Sequence, residues 1–248
     1  MVNLFKGIAL LLLLFSCSSP QDPSPIAAIS SPPIDSLLQD SSVQAPIEQG
    51  LLPYTTLEID SIFNLNDTSW VDLERLDPSI EMDLRYATTN NFMELQIYDC
   101  PKCYLRLAVA KALLKAQQKL KDQQLGFKMF DCYRPQSAQY KLWEKVPDPR
   151  YVSPPSRGSM HSRGGALDLT IIDLQSKEAL KMGTEYDYFG RKAYWVYKDF
   201  PQEILDNRQL LLSTLKEFGF KTVTTEWWHF SYRRAWFKLS DMQWDCDS

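Results

Sequence analysis

Histidine is nearly missing from this chain. Only His161 and His229 occur among 248 residues. Any chemistry that needs an imidazole must use one of these two positions. Long blocks of one charge are also missing, and the formal net charge is -4. This removes the electrostatic footprint expected for a nucleic-acid partner or an anionic membrane surface. The N-terminal apolar run from Ile8 to Phe15 is too short to span a bilayer. The Cys100-Pro101-Lys102-Cys103 half-site has no second half with which to complete a zinc ribbon. No strand-like run precedes it, as a thioredoxin-type motif requires. No internal repeat is present, so a solenoid or propeller is excluded.

What remains divides into three parts. Residues 1–16 carry Lys6 and then the Ile8–Phe15 run, the layout of a signal peptide. Leu14-Phe15-Ser16-Cys17 resembles the end of a bacterial lipoprotein signal. That resemblance implies cleavage before Cys17 and a lipid on its thiol, with Phe15 bulkier than usual there. It places the protein in the cell envelope, anchored at the periplasmic face or the outer membrane. Residues 17–60 are rich in Ser, Pro, Gln and Asp over most of their length. Such a segment buries too little apolar surface to offset its ordering entropy and reads as a tether. Residues 61–248 form the domain, with aromatic density rising from about Trp70. In an oxidising compartment, Cys100, Cys103, Cys132 and Cys246 suit structural disulfides, and their pairing stays open.

Within the domain, apolar residues from Leu105 to Leu120 recur at helical spacing, and the helix is expected to end at Gly126. Residues 127–133 alternate as a strand does. Residues 134–146 restart a helix with Pro135 in its first turn. Residues 146–159 hold four prolines and read as a loop. Ala166–Ile172 is apolar apart from Asp168 and Thr170 and reads as a buried strand. Residues 201–220 form a second amphipathic helix that stops at Gly219. Residues 221–237 are β-branched and aromatic and read as one strand. This mixed order predicts an α+β fold.

The two histidines each lie near acids: His161 precedes Asp168, and Glu226 precedes His229. Two neutral imidazoles and a carboxylate make the ligand set of a catalytic zinc site, with one position left open. A further glutamate suits proton removal from water. Other uses for such residues exist: Asp168 beside an arginine such as Arg163, or Arg134 in an ion pair with Asp131. Local shape is constrained by parity. On a straight strand, residues an odd number apart face opposite sides. His161 and Asp168 are seven apart, and Glu226 and His229 three apart. A turn is therefore needed at Gly164-Gly165, where glycine accepts positive φ. A bulge or helical turn is needed around Trp227-Trp228.

Ser159-x-His161-x-x-Gly164-x-Ala166-x-Asp168, followed by Glu226-Trp227-Trp228-His229, resembles the signature of the zinc D-Ala-D-Ala dipeptidases. "DLRYATTNNF" (83–92), "DCYRP" (131–135) and "MGTEYD" (182–187) resemble the same family in the same order. The likeness covers about residues 70 to 235. It implies the fold shared with zinc D,D-carboxypeptidases and the hedgehog signalling domain: a small antiparallel sheet flanked by helices. It implies one Zn²⁺ per chain on His161, Asp168 and His229. It implies Glu226 as general base and Arg134 as the group that holds the oxyanion. Tyr86, Ser159 and Asp187 would bind the substrate, a small D,D-dipeptide, with Asp187 pairing with its ammonium. Cys132 departs from the pattern, in which glycine often stands at this position.

Two other readings share some of these features. A D,D- or L,D-carboxypeptidase acting on peptidoglycan stems would carry the same zinc residues, but "MGTEYD" and the Trp227-Trp228 doublet favour the dipeptidase. A non-catalytic, zinc-stabilised surface lipoprotein would need no Glu226 or Arg134, and a structural zinc site is normally closed by four protein ligands.

Overall fold

The computed structural model describes residues 52–246. The leader, Cys17 with its expected lipid, and most of the 17–60 tether lie outside the described residues. No helix among the described residues is long and apolar enough to cross a membrane. Among the described residues, regular structure starts at helix α1, Thr56–Phe63, which takes up the end of the expected 17–60 tether. Thr55 and Glu58 close its N-terminus as a reciprocal capping box.

A two-stranded antiparallel ribbon joins β1 (Trp70–Asp72) and β3 (Tyr104–Arg106). The short helix α2 (Leu73–Leu76) and strand β2 (Glu81–Met82) lie between them in sequence. The main sheet has five strands. They are β2, β4 (Leu125–Asp131), β5 (Ala166–Asp173), β7 (His229–Tyr232) and β6 (Phe220–Thr222), in that spatial order. All pairs are antiparallel except β2 with β4. The fold is therefore α+β, as the alternation of patterns implied.

Helix α3, Leu107–Lys121, packs on β4 and on α5 (Gln202–Glu217). Its buried positions Leu107, Val109, Ala110, Leu113, Ala116 and Leu120 follow the helical period. Each fully buried leucine contributes about 1.5–3 kcal/mol. On β5, Leu167, Leu169 and Ile171 are fully buried. Helix α4, Gln136–Lys145, follows Pro135, whose fixed φ suits a helix entry.

Two local expectations are corrected. Gly126 does not end α3. The helix stops at Lys121, Gln124 takes the left-handed turn (φ 60°), and Gly126 sits in β4 opposite Ile172. A Cβ there would meet Leu174 Cδ2 at 2.7 Å. Residues 221–237 are not one strand. β6 and β7 pair as a hairpin, and residues 223–228 turn between them. Thr224 and Thr225 have strand propensity but make this turn, because Trp227 and Trp228 are drawn into the core.

The cysteines pair as Cys100–Cys246 and Cys103–Cys132. The first ties the C-terminal segment down, with Trp244 edge-on to Tyr98 and Tyr133. The second links the end of β4 to the segment before β3.

Candidate metal centre and catalytic cavity

Strand pairing builds the first part of the site. Asp168 on β5 lies directly opposite His229 on β7. Cross-strand partners project from the same face, so their side chains meet. His161 arrives from a single 3-10 turn, His161–Arg163, which Gly164 closes at φ 68°. A Cβ on Gly164 would collide with the Trp70 ring. Only glycine fits that turn, and it brings His161 round to the face that holds Asp168.

The three inward atoms converge. His161 Nε2 lies 3.1 Å from His229 Nδ1 and 3.3 Å from Asp168 Oδ1. His229 Nδ1 lies 2.9 Å from the same oxygen. Ligand atoms around a tetrahedral metal at about 2.0–2.1 Å stand about 3.3 Å apart, so the spacing suits one small cation. The outer bonds suit it too. His161 Nδ1 donates to the Cys132 carbonyl oxygen at 2.7 Å, and that oxygen can only accept. Nε2 therefore turns a lone pair inward. The Ser231 hydroxyl can accept from His229 Nε2 at 3.0 Å, which leaves Nδ1 inward. Tyr186 Oη donates to Asp168 Oδ2 at 3.1 Å. Burial alone would raise the Asp168 pKa, but the two imidazoles, when they carry protons, outweigh it and draw the carboxyl well below its usual range. Two lone pairs and a carboxylate that point at one another, each ligand oriented from behind, fit a metal ion.

Arg134 follows β4 and is fixed on three sides. Its Nη2 donates to Asp131 Oδ2 at 2.6 Å, its Nη1 donates to Gln139 Oε1 at 3.0 Å, and its guanidinium stands 5.0 Å from the Tyr86 ring centre. Asp131 also accepts from Tyr98 Oη. The ion pair with Asp131 is thus real, and it aims the guanidinium at the site: Nη2 is 3.9 Å from Asp168 Oδ2. Arg163 turns away from Asp168, to the Phe237 carbonyl and the Trp236 ring.

Glu226 lies in the turn before β7. Its backbone carbonyl accepts from Trp195 Nε1 and Thr222 Oγ1. Its carboxyl has no hydrogen-bond or ion-pair partner among the described residues. Burial, with Asp168 and Asp187 nearby, pushes its pKa well up against the opposing pull of Arg134. Asp187 holds a left-handed backbone, φ 57°, which Asp tolerates better than most residues. Its Oδ2 accepts from Tyr86 Oη at 3.0 Å. Burial and the Asp168 charge raise it to about 8. Ser159 Oγ accepts from the His161 backbone N–H.

All eight candidates of the domain line one cavity of about 120 Å³: Tyr86, Arg134, Ser159, His161, Asp168, Asp187, Glu226 and His229. Phe92, Tyr151, Phe189 and Trp228 complete its walls. The sequence offered no signal for Gln139, for the Cys132 carbonyl or for Ser231. Tyr186 was within reach, because it stands inside "MGTEYD".

A buried cluster of two imidazoles and a carboxylate, flanked by an unpaired carboxyl and a fixed guanidinium, defines a metal-centred hydrolytic site. Comparison with known proteins narrows that class. A family described as D-Ala-D-Ala dipeptidase, Peptidase_M15, matches residues 66–243. The chain is 36% identical over 168 residues to the D-alanyl-D-alanine dipeptidase of Escherichia coli (strain K12), covering 68% of this chain and 86% of that one. It is 27% identical over 181 residues to the enzyme of the same name from Enterococcus faecium (65% and 90%). Against that of Streptomyces coelicolor it is 29% identical over 187 residues (67% and 92%). The chain belongs to the D-Ala-D-Ala dipeptidase family of metallopeptidases. The enzymes of this family are zinc enzymes, and the His161, Asp168 and His229 donor set fits that ion.

Proposed function

We propose that this protein hydrolyses D-alanyl-D-alanine released during cell-wall peptide turnover or salvage, from a lipid-anchored position in the cell envelope. His161, Asp168 and His229 would hold Zn²⁺, which when bound supplies Lewis acidity toward the peptide carbonyl and eases deprotonation of water. Glu226 takes the proton from the attacking water and later passes it to the leaving amine. A partly desolvated carboxyl with a raised pKa is a stronger base for that task. Arg134 receives the negative charge that develops on the carbonyl oxygen, and its anchors on Asp131 and Gln139 remove the cost of reorienting it. Asp187, backed by Tyr86, pairs with the substrate ammonium, and Ser159 lines the pocket beside it.

The observation that carries this reading is the small cavity in which all eight residues meet. A dipeptide with a free amine suits it, whereas a chain extended beyond that amine would have to displace Asp187. The envelope position rests on residues 1–17 alone: a signal through Ser16 and a lipid on Cys17.

The test is a panel of D-Ala-D-Ala, N-acetyl-D-Ala-D-Ala and muropeptide stems given to zinc-loaded protein. Rapid cleavage of the free dipeptide alone is expected. Equal cleavage of acylated or stem substrates would move the assignment to a carboxypeptidase. Retention of Cys17→Ser protein in membranes after signal cleavage would remove the lipid anchor.

A further inference from the structure

A second cleft, of about 630 Å³, lies on the same sheet face as the metal centre. Its size falls within the roughly 300–1,000 Å³ of small-molecule sites. Tyr186 divides the two spaces. Its hydroxyl holds Asp168, and its ring stacks on Phe130 at 4.8 Å, in the wall of the second cleft. None of the reaction groups above reaches this side.

The cleft contains polar groups that the fold leaves unsatisfied. Thr170 follows Asp168 by two positions on β5 and so shares its face. It is only 1% exposed, and its Oγ1 has no partner. A buried hydroxyl left unpaired costs about 1–3 kcal/mol, and valine would fill the same volume without that cost. Arg85 gives Nη2 to Asp83 at 2.8 Å, but its buried Nε has no partner. Lys128 stands opposite Thr170 in the β4–β5 register, on the same face. Its ammonium enters no ion pair among the described residues.

Charge selects the occupant. Asp83 is neutralised by Arg85, Lys181 is directed to Glu203, and Glu185 is exposed. Lys128 and the free Arg85 Nε remain, two donors that suit a single negative charge, in the same cleft as the Thr170 hydroxyl. Phe130, Met182, Ile204 and Trp227 supply an apolar wall, and the polar groups of Thr184 and Tyr186 are taken by Trp227 Nε1 and Asp168. We propose that this cleft is a second ligand site, which takes a small monocarboxylate bearing an apolar substituent. Its carboxylate is held by Arg85 Nε, Lys128 and Thr170, and its substituent lies against Phe130 and Trp227.

Binding is read without turnover, so the proposal stands apart from the reaction above. Butyrate is titrated into the zinc-loaded full chain by calorimetry, with inorganic phosphate as a second probe. Saturable butyrate binding is expected, weakened at least tenfold in Thr170→Val and in Lys128→Gln and retained in His229→Ala. Lys128→Gln removes only a part-exposed charge, so it reads the site even where the buried change disturbs folding. Butyrate binding that survives both substitutions but is lost in His229→Ala would place the ligand on the metal centre and overturn the proposal. Failure of butyrate to bind, or binding of phosphate alone, would overturn it as well.

Discussion

His161, Asp168 and His229 stand on a 3-10 turn and two paired strands, whereas Tyr86, Asp187 and Phe189 stand on a short turn and a loop. On the strand side, each candidate ligand carries a second bond from behind: to the Cys132 carbonyl, to Tyr186 Oη or to Ser231 Oγ. On the loop side, Asp187 keeps a left-handed backbone and has one partner, Tyr86, while Phe189 is partly exposed. Metal ligation tolerates little misplacement, and two of the three candidate ligands stand on paired strands while all three carry outer hydrogen bonds. In the proposed function, recognition falls to connecting segments, which can vary without disturbing the sheet.

The comparison breaks most readily at its strand side. His161→Ala should abolish both zinc retention and turnover, because it removes one of three ligands and leaves the Cys132 carbonyl unpaired. Metal analysis after dialysis checks this, and stoichiometric zinc in the variant would defeat the assignment. Glu226→Gln should keep zinc and fold but lose about 10²- to 10⁴-fold in turnover. Near-normal kcat would show that another group moves the proton. Arg134→Lys keeps the charge but loses the planar fork that Asp131 and Gln139 hold. A drop of about 10²- to 10³-fold in kcat is expected, as for loss of one oxyanion donor. A change confined to KM would reassign Arg134 to ground-state binding.

The loop side should respond more mildly. Asp187→Asn should act mainly on KM for the free dipeptide and narrow the gap between free and N-acetylated substrates. If it lowers kcat as far as Glu226→Gln does, the division between chemistry and recognition fails. Asp187 also supplies a pH signature in zinc-free protein. Its pKa is raised to about 8 in the folded state, against about 3.9 in an unfolded chain. The folded state then holds the extra proton between those values, so stability falls as pH rises through that window. Thermal unfolding from pH 4 to 9 should show this slope, and Asp187→Asn should flatten it.

Much of the site could be read before any fold was known. His161 and His229 are the only imidazoles, and each sits near an acid in an apolar segment, so a metal was a short step. The odd spacing of His161 and Asp168 called for a turn, and Gly164 makes it. The turn before His229 was called for on the same ground, although the hairpin it closes was hidden. Residues 221–237 carry no Gly, Pro or Asn to mark the break. Gly126 misled in the opposite direction: it looked like a helix end and serves a close approach inside a strand.

The sequence by itself determined the residue types of the centre, the need for turns beside each histidine, and the helical and strand periods of α3, β5 and α5. These are local properties, set by spacing along one chain. Only the tertiary structure decided the pairing of Cys103 with Cys132 and of Cys100 with Cys246. It also set Asp168 opposite His229 from 61 residues away. The second bonds behind each ligand, the anchoring of Arg134 by Asp131 and Gln139, and the unpartnered Thr170 in its cleft were likewise decided there. Each depends on how distant segments pack together, and a one-residue slip of β5 would turn Asp168 and Thr170 to the other side of the sheet.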